Sequence, residues 1–269
     1  MNKKILLAIL SASALFASAG TTHAQEAFSP IPQVTDEWRF SVSPYGWIPQ
    51  VNTTVSAGGA GSKNADISMN NLLSNLKSGA MIAGEAHYGK WGVLADFATA
   101  TLQKSGSFNF KGDPAYRAGD KSTLQASLFN LMGSYTVFNN QDAYVDALLG
   151  VRWVGLTTSY DVALQADPSV RENVSSAMHA TYGVVGFNSR YRILGSNWYV
   201  PLYADIGTAG GPNHQTWQAS TGVGVALSKM VDLSLTYRAI GFEIKSGNND
   251  STLLKGIFHG PQVMATFNF

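Results

Sequence analysis

Arginines and acids at matching phase are the residues of this chain that could do chemistry. Arg39, Arg152, Arg190 and Arg238 recur with Glu85, Asp96, Asp146 and Asp205, each in a stretch where apolar and polar residues alternate. A planar guanidinium fork takes a carboxylate two-pronged, and charges confined together persist only when paired. The pattern predicts one interlocked salt-bridge network, with Tyr144, Tyr199, Tyr203, Asn188, Gln218, Ser234 and Thr236 in phase with it. Such a network either fills a narrow interior or lines and gates a pore. Catalysis has thinner support. His87 is in phase with Glu85, while His179, His214 and His259 lie elsewhere. A Ser–His pair such as Ser220 with His259 would need hydrogen-bond reach, and no contiguous motif stands behind it. No enzyme activity is expected. The chain has no H-x-x-x-H pair, and Gly207 to Gly211 departs from the phosphate-loop pattern, so neither metal nor cofactor is expected.

Period-two alternation positions these residues. It runs through Trp38–Val51, Gly79–Tyr88, Trp91–Leu102, Lys121–Phe138 and Asp142–Tyr160. It resumes in Ala177–Ile193, Trp198–Gly207, His214–Ser228, Val231–Lys245 and a closing stretch from Ile257 to Phe269. Period two means strand. About ten strands result, with eight or twelve as alternatives. Long polar connections (Asn52–Ser78, Gln103–Asp120, Ala163–Ser176, Ser246–Lys255) alternate with short ones at Gly89, Asn140, Gly195 and Lys229. That rhythm predicts a closed antiparallel up-and-down β-barrel, with short turns at one end and long loops at the other. In the first long connection Ile67, Leu72, Leu73 and Leu76 have helical spacing. They form either a short helix or, as the Gly/Ser/Asn content favours, a loop packing its leucines on the barrel mouth.

Composition narrows the solvent. Charged residues make up 13%, about half the ~25% of soluble globular chains, while Gly stands at 27 and Cys at 0. Past the leader no stretch reaches the ~18 apolar residues of a membrane helix. A poorly charged, Gly- and aromatic-rich chain without such a helix fits a transmembrane barrel, in which one face of every strand meets lipid. Residues 1–24 read as an export signal: Lys3 and Lys4, a mostly apolar Ile5–Phe16, then Thr22-His23-Ala24. Residues 25–37 form a periplasmic lead-in and 38–269 the barrel. Without the leader's lysines the formal charge of +1 turns slightly negative, so no nucleic-acid partner is expected. A soluble secreted β-sandwich is the alternative fold.

Aromatic placement gives the membrane levels. Trp38, Trp91 and Trp198 begin strands where Tyr88, Tyr191, Phe267 and Phe269 end them, and Trp153 and Trp217 lie toward the other rim. These make two interfacial belts against outer-membrane lipid and lipopolysaccharide. Gly150, Gly222 and Gly224 face inward and leave room for an aqueous gap.

The chain resembles small Gram-negative outer-membrane barrels of the OmpA/OmpW-like kind, and most a loosely characterised porin-like family. The carriers are Trp38-Arg39-Phe40 through Pro44-Tyr45-Gly46-Trp47, the Gly89–Gly92 turn Gly-Lys-Trp-Gly, Asp205-Ile206-Gly207, Thr216-Trp217-Gln218 and Tyr237-Arg238. Thr208-Ala209 departs from the Gly- and Phe-richer family pattern. The aromatic ending, Phe267 and Phe269, is similar to the segment read by the barrel-assembly machinery, and implies that machinery and periplasmic chaperones as partners. The resemblance implies an outer-membrane location. Its functional implication is a narrow channel for small solutes, or else a closed structural or adhesive barrel; a protease or lipid A-modifying rim enzyme is less favoured.

Overall fold

The computed structural model describes residues 29–57, 61–109, 117–164, 171–210, 214–246 and 252–269. The expected leader, 1–24, lies outside them. The elements are β1 (Trp38–Trp47), β2 (Gln50–Ala57), β3 (Gly61–Ile67), α1 (Met69–Asn75), β4 (Leu76–Tyr88), β5 (Trp91–Asn109) and β6 (Arg117–Asn139). They continue as β7 (Ala143–Leu164), β8 (Arg171–Arg192), β9 (Trp198–Thr208), β10 (Gln215–Ala226), β11 (Val231–Ser246) and β12 (Thr252–Asn268). β1 and β4 to β12 close a ring of ten strands, each antiparallel to its neighbours, sealed by β1 on β12. The sealing pairs include Val42 with Phe267 and Gly46 with Val263, and Phe40 and Phe269 exchange two backbone hydrogen bonds. The all-β closed barrel that alternation predicts is the fold observed.

Among the described residues, β2 and β3 stand outside the ring. β2 continues the line of β1 along β12, from Gln50 opposite His259 to Ala57 opposite Thr252. Pro49, which has no N–H to give, falls at the break. β3 then takes the far edge of β2, so the β1–β4 ladder stops at Pro44 opposite Ile82. α1 packs against β2 and β5 beside this seam. Ser68 starts it, its hydroxyl accepting from the Asn71 amide at 3.3 Å. Leu72 is buried on the mouth. The leucines therefore do cap the barrel, but from a helix within a hairpin–helix excursion rather than from the loop that composition favoured.

The other long connections also need correction. Gln103–Asp120, Ala163–Ser176 and Ser246–Lys255, read as loops, are strand wherever the structure describes them, since β5 runs to Asn109, β6 starts at Arg117, β7 reaches Leu164, β8 starts at Arg171, β11 reaches Ser246 and β12 starts at Thr252. The 23 residues of β6, at ~3.3 Å per residue and ~40° tilt, rise ~55 Å against an apolar band of ~25 Å. Beyond the band both faces meet water. Side chains there are polar on both sides, the alternation disappears, and the backbone ladder continues. Pairs such as Thr54–Asn64 (2.9 Å) and Lys255–Glu243 (2.7 Å) replace lipid contacts. At the opposite, periplasmic end the turns are tight, and Gly89 and Gly195 take φ of +58° and +67° there.

Candidate functional site: the divided lumen

Along every strand the alternate set that faces away from lipid converges inward, and all eight charged residues expected in the lumen stand there. They form two clusters rather than one network. The first is a belt across mid-barrel. Arg152 on β7 is fully buried and uses all five N–H groups: Nε to Asn130 (2.7 Å), Nη1 to Asp205 (2.9 Å) and Thr216 (3.0 Å), Nη2 to Asp205 (2.5 Å) and Gln218 (3.0 Å). Arg238 on β11 donates to Asp96 (2.6 Å), Gln218 (3.1 Å) and the Tyr45 hydroxyl (3.1 Å). Gln218 Oε1 thus accepts from both arginines. Asn130 closes the circuit by donating to Asp96 at 3.1 Å. The Tyr45 and Tyr203 hydroxyls donate to Asp96 (2.5 Å) and Asp205 (2.6 Å). Seven of the ten ring strands (β1, β5, β6, β7, β9, β10, β11) supply a member.

The second cluster sits at the periplasmic end. Asp146 is wholly buried and accepts from Thr136 (2.7 Å) and Tyr144 (2.9 Å), with His87 4.0 Å away. Glu85 lies 3.5 Å from the same imidazole nitrogen, Nε2. Arg190 pairs with Asp232 at 2.9 Å and stacks over the Tyr199 ring at 4.8 Å. Arg39 lies over the Tyr144 ring at 6.0 Å, with its buried Nε and Nη2 lacking a hydrogen-bond partner. The lead-in crosses this mouth. Ile31 is 3% exposed, Asn139 donates to the Pro32 carbonyl (2.8 Å), and Gly89 N–H donates to the Thr35 carbonyl (3.0 Å). A cavity of about 470 Å³ lies between the lead-in and the cluster, and one of about 170 Å³ lies between the cluster and the belt.

Above the belt the lumen changes character. Trp47, Tyr182, Val184, Ile240, Phe242 and Ile244 point inward and are buried against one another. Sequence reasoning missed this apolar half. In β11 the signal was present, since Arg238 is followed in phase by Ile240, Phe242 and Ile244 while Ala239, Gly241, Glu243 and Lys245 take the other face; assigning one face of the whole strand to lipid, on the strength of Leu233, Leu235 and Tyr237, hid it. Asp232, the partner of Arg190, was missed too, although it stands in phase with Ser234, Thr236 and Arg238 in the same strand. The aqueous gap expected at the inward glycines is absent. A side chain on Gly224 would meet the Tyr199 ring, and one on Gly150 or Gly222 would meet the neighbouring strand's backbone. These glycines are there because something else fills their space.

Ser220 and His259 do not meet: Ser220 faces the lumen from β10, while His259 faces outward on β12, bonded to Tyr237 (2.6 Å) and Asn52 (3.1 Å). Trp38, Trp91, Trp198, Trp217, Phe267 and Phe269 stand exposed on the outward face, with Val93, Leu149 and Val185 between the two levels. Trp153, also outward, lays its ring over Gly155.

No family model and no curated protein matches the chain. Among solved structures, the outer membrane protease OmpT from Escherichia coli aligns with a TM-score of 0.55 at 8% identity, covering 90% of this chain and 100% of its own. The translocator domain of autotransporter NalP from Neisseria meningitidis aligns at 0.44 and 11% identity, covering 99% and 98%. Ail of Yersinia pestis aligns at 0.32 and 9% identity, covering 87% and 100%. The likeness to OmpT is one of fold. With its ten-strand closure, its apolar outward band and the aromatics at both levels, the chain is a small outer-membrane β-barrel.

Proposed function

We propose that the barrel is a selective channel for small solutes, shut at rest by the Arg152–Asp205 and Arg238–Asp96 belt. The observation that carries this reading is the division of the lumen, with a chamber of about 170 Å³ directly beneath a belt that spans it from wall to wall. A plain filled core would need no chamber there. Charges of both signs line it, among them Glu85, Asp96, Arg190 and Arg238, which suits passage without strong ion selectivity. In planar bilayers the wild type is expected to stay near baseline, and Arg152→Ala with Asp205→Ala to conduct. A double variant that folds and remains silent retires the channel.

A surface-interaction role is the second reading. It is favoured by the height of β5 to β8, whose polar outer parts rise well beyond the apolar band. Shortening those hairpins would then abolish binding of whole cells to a surface and leave conductance unchanged.

A further inference from the structure

We infer that the outer half of the lumen holds a binding site for a small, uncharged hydrocarbon of about one aromatic ring. A cavity of about 130 Å³ lies above the belt. Trp47, Phe242 and Phe258 form one side of it, Ala98 and Ala126 the other, and Leu72 of α1 adjoins them. Among the described residues, no charged one lines it. The polar side-chain groups on its wall are already engaged: Trp47 Nε1 donates to the Gly260 carbonyl at 3.3 Å, and the Thr99 and Ser127 hydroxyls bond each other at 2.9 Å. Water in such a space would find no partners, and a polar ligand would lose its own. An apolar cavity of ~150 Å³ engineered into another protein stays dry and takes up benzene. The space here is close to that size, and aromatic edges from Trp47, Phe242 and Phe258 add favourable ring contacts.

The small residues on β5 and β6 make the space. Ala98 and Ala126 stand where other lumen positions at this level carry Leu128, Val154 or Phe242. A larger side chain at either would fill the cavity without touching the belt. The inference names the solute class for the proposed channel and rests on that reading for passage; binding itself does not require the belt to open.

The test uses full-length protein in lipid vesicles, in a variant whose five other tryptophans are phenylalanine, leaving Trp47 of the six as reporter. Bromobenzene is the probe. Quenching of Trp47 is expected to saturate, and Ala98→Leu to weaken the saturable part at least about tenfold, some ~1.4 kcal/mol. Vesicles of phosphatidylcholine brominated on its acyl chains are expected to leave Trp47 bright. Quenching that rises linearly and is equal in Ala98→Leu is mere partition into the bilayer and overturns the site. Equal quenching by brominated chains overturns it in favour of a lipid-filled lumen. Should Ala98→Leu lose the mobility difference between boiled and unboiled samples, Ala126→Leu fills the same space from the next strand. Saturable quenching with a silent bilayer retires the channel and keeps the site; conductance without saturable quenching does the reverse.

Discussion

Arg152 and Asp205 face each other across the lumen as a two-pronged ion pair, and neither side chain has any exposed surface. Removing charges from water is costly, so such a pair holds only because Asn130, Thr216, Gln218 and Tyr203 satisfy what the two ions leave over. This predicts an asymmetry. Arg152→Met strands a buried carboxylate and is expected to cost ~3–5 kcal/mol, whereas Arg152→Met with Asp205→Leu is expected to recover most of it. Urea midpoints in detergent for the two singles and the double check this. A double no more stable than the singles would mean that the surrounding bonds, and not the pair, hold the belt.

Gln218 joins the two halves of the belt through one oxygen. Gln218→Leu keeps the volume and leaves an N–H of each arginine without an acceptor. The expected loss is ~1–3 kcal/mol, the cost of orphaning buried donors. Coupling supplies a second readout: in Gln218→Leu the double-mutant coupling between Arg238 and Arg152 should shrink to what the Asn130 bridge to Asp96 still carries, and in Gln218→Leu with Asn130→Leu it should close to zero.

The inward glycines separate two kinds of close approach. A Cβ at Gly224 meets the Tyr199 ring, and one at Gly222 meets the Leu235 carbonyl and Thr236 backbone. Gly224→Ala should therefore be rescued by Tyr199→Ala, because a ring can be removed. Gly222→Ala should have no side-chain rescue, because the obstacle is the ladder itself. Yields of the heat-modifiable folded form for the three variants decide it.

Alternation made the ring legible. Each of Arg39, Glu85, Asp96, Asp146, Arg152, Arg190, Asp205 and Arg238 faces inward, as period two requires. Phase, however, names no partner. The same alternation that set Arg152 and Arg190 inward could not show that Arg152 meets Asp205 and Arg190 meets Asp232, because that depends on register between strands and on which strands face each other across the lumen. Legibility also depends on contrast between faces, which is reversed where Ile240 and Phe242 point into the lumen while Ala239, Gly241 and Glu243 face out. Beyond the membrane, at Lys104 opposite Ser122, contrast is lost and a ladder reads as a loop. The excursion through β2, β3 and α1 was hidden for a third reason: β2 pairs with β12, two hundred residues on, and nothing local announces it.

The outward face gives the last prediction. Leu149, 68% exposed, lies on β7 six residues past Ala143, and at ~3.3 Å per residue and ~40° tilt it stands ~15 Å from the inner turn, near the middle of the apolar band. Its lumen-side neighbour Leu148 is 4% exposed. In a bilayer, Leu149→Arg must place a guanidinium in hydrocarbon and is expected to cost ~2–4 kcal/mol, while Ser175→Arg, on β8 in phase with the outward Val185 and beyond the band, is expected to cost near zero. Unfolding in lipid vesicles should show that difference, and a detergent micelle, which deforms around the charge, should shrink it. Equal costs at the two positions would place Leu149 in water, and the outward belts of Trp91 and Trp217 would then have no membrane to mark.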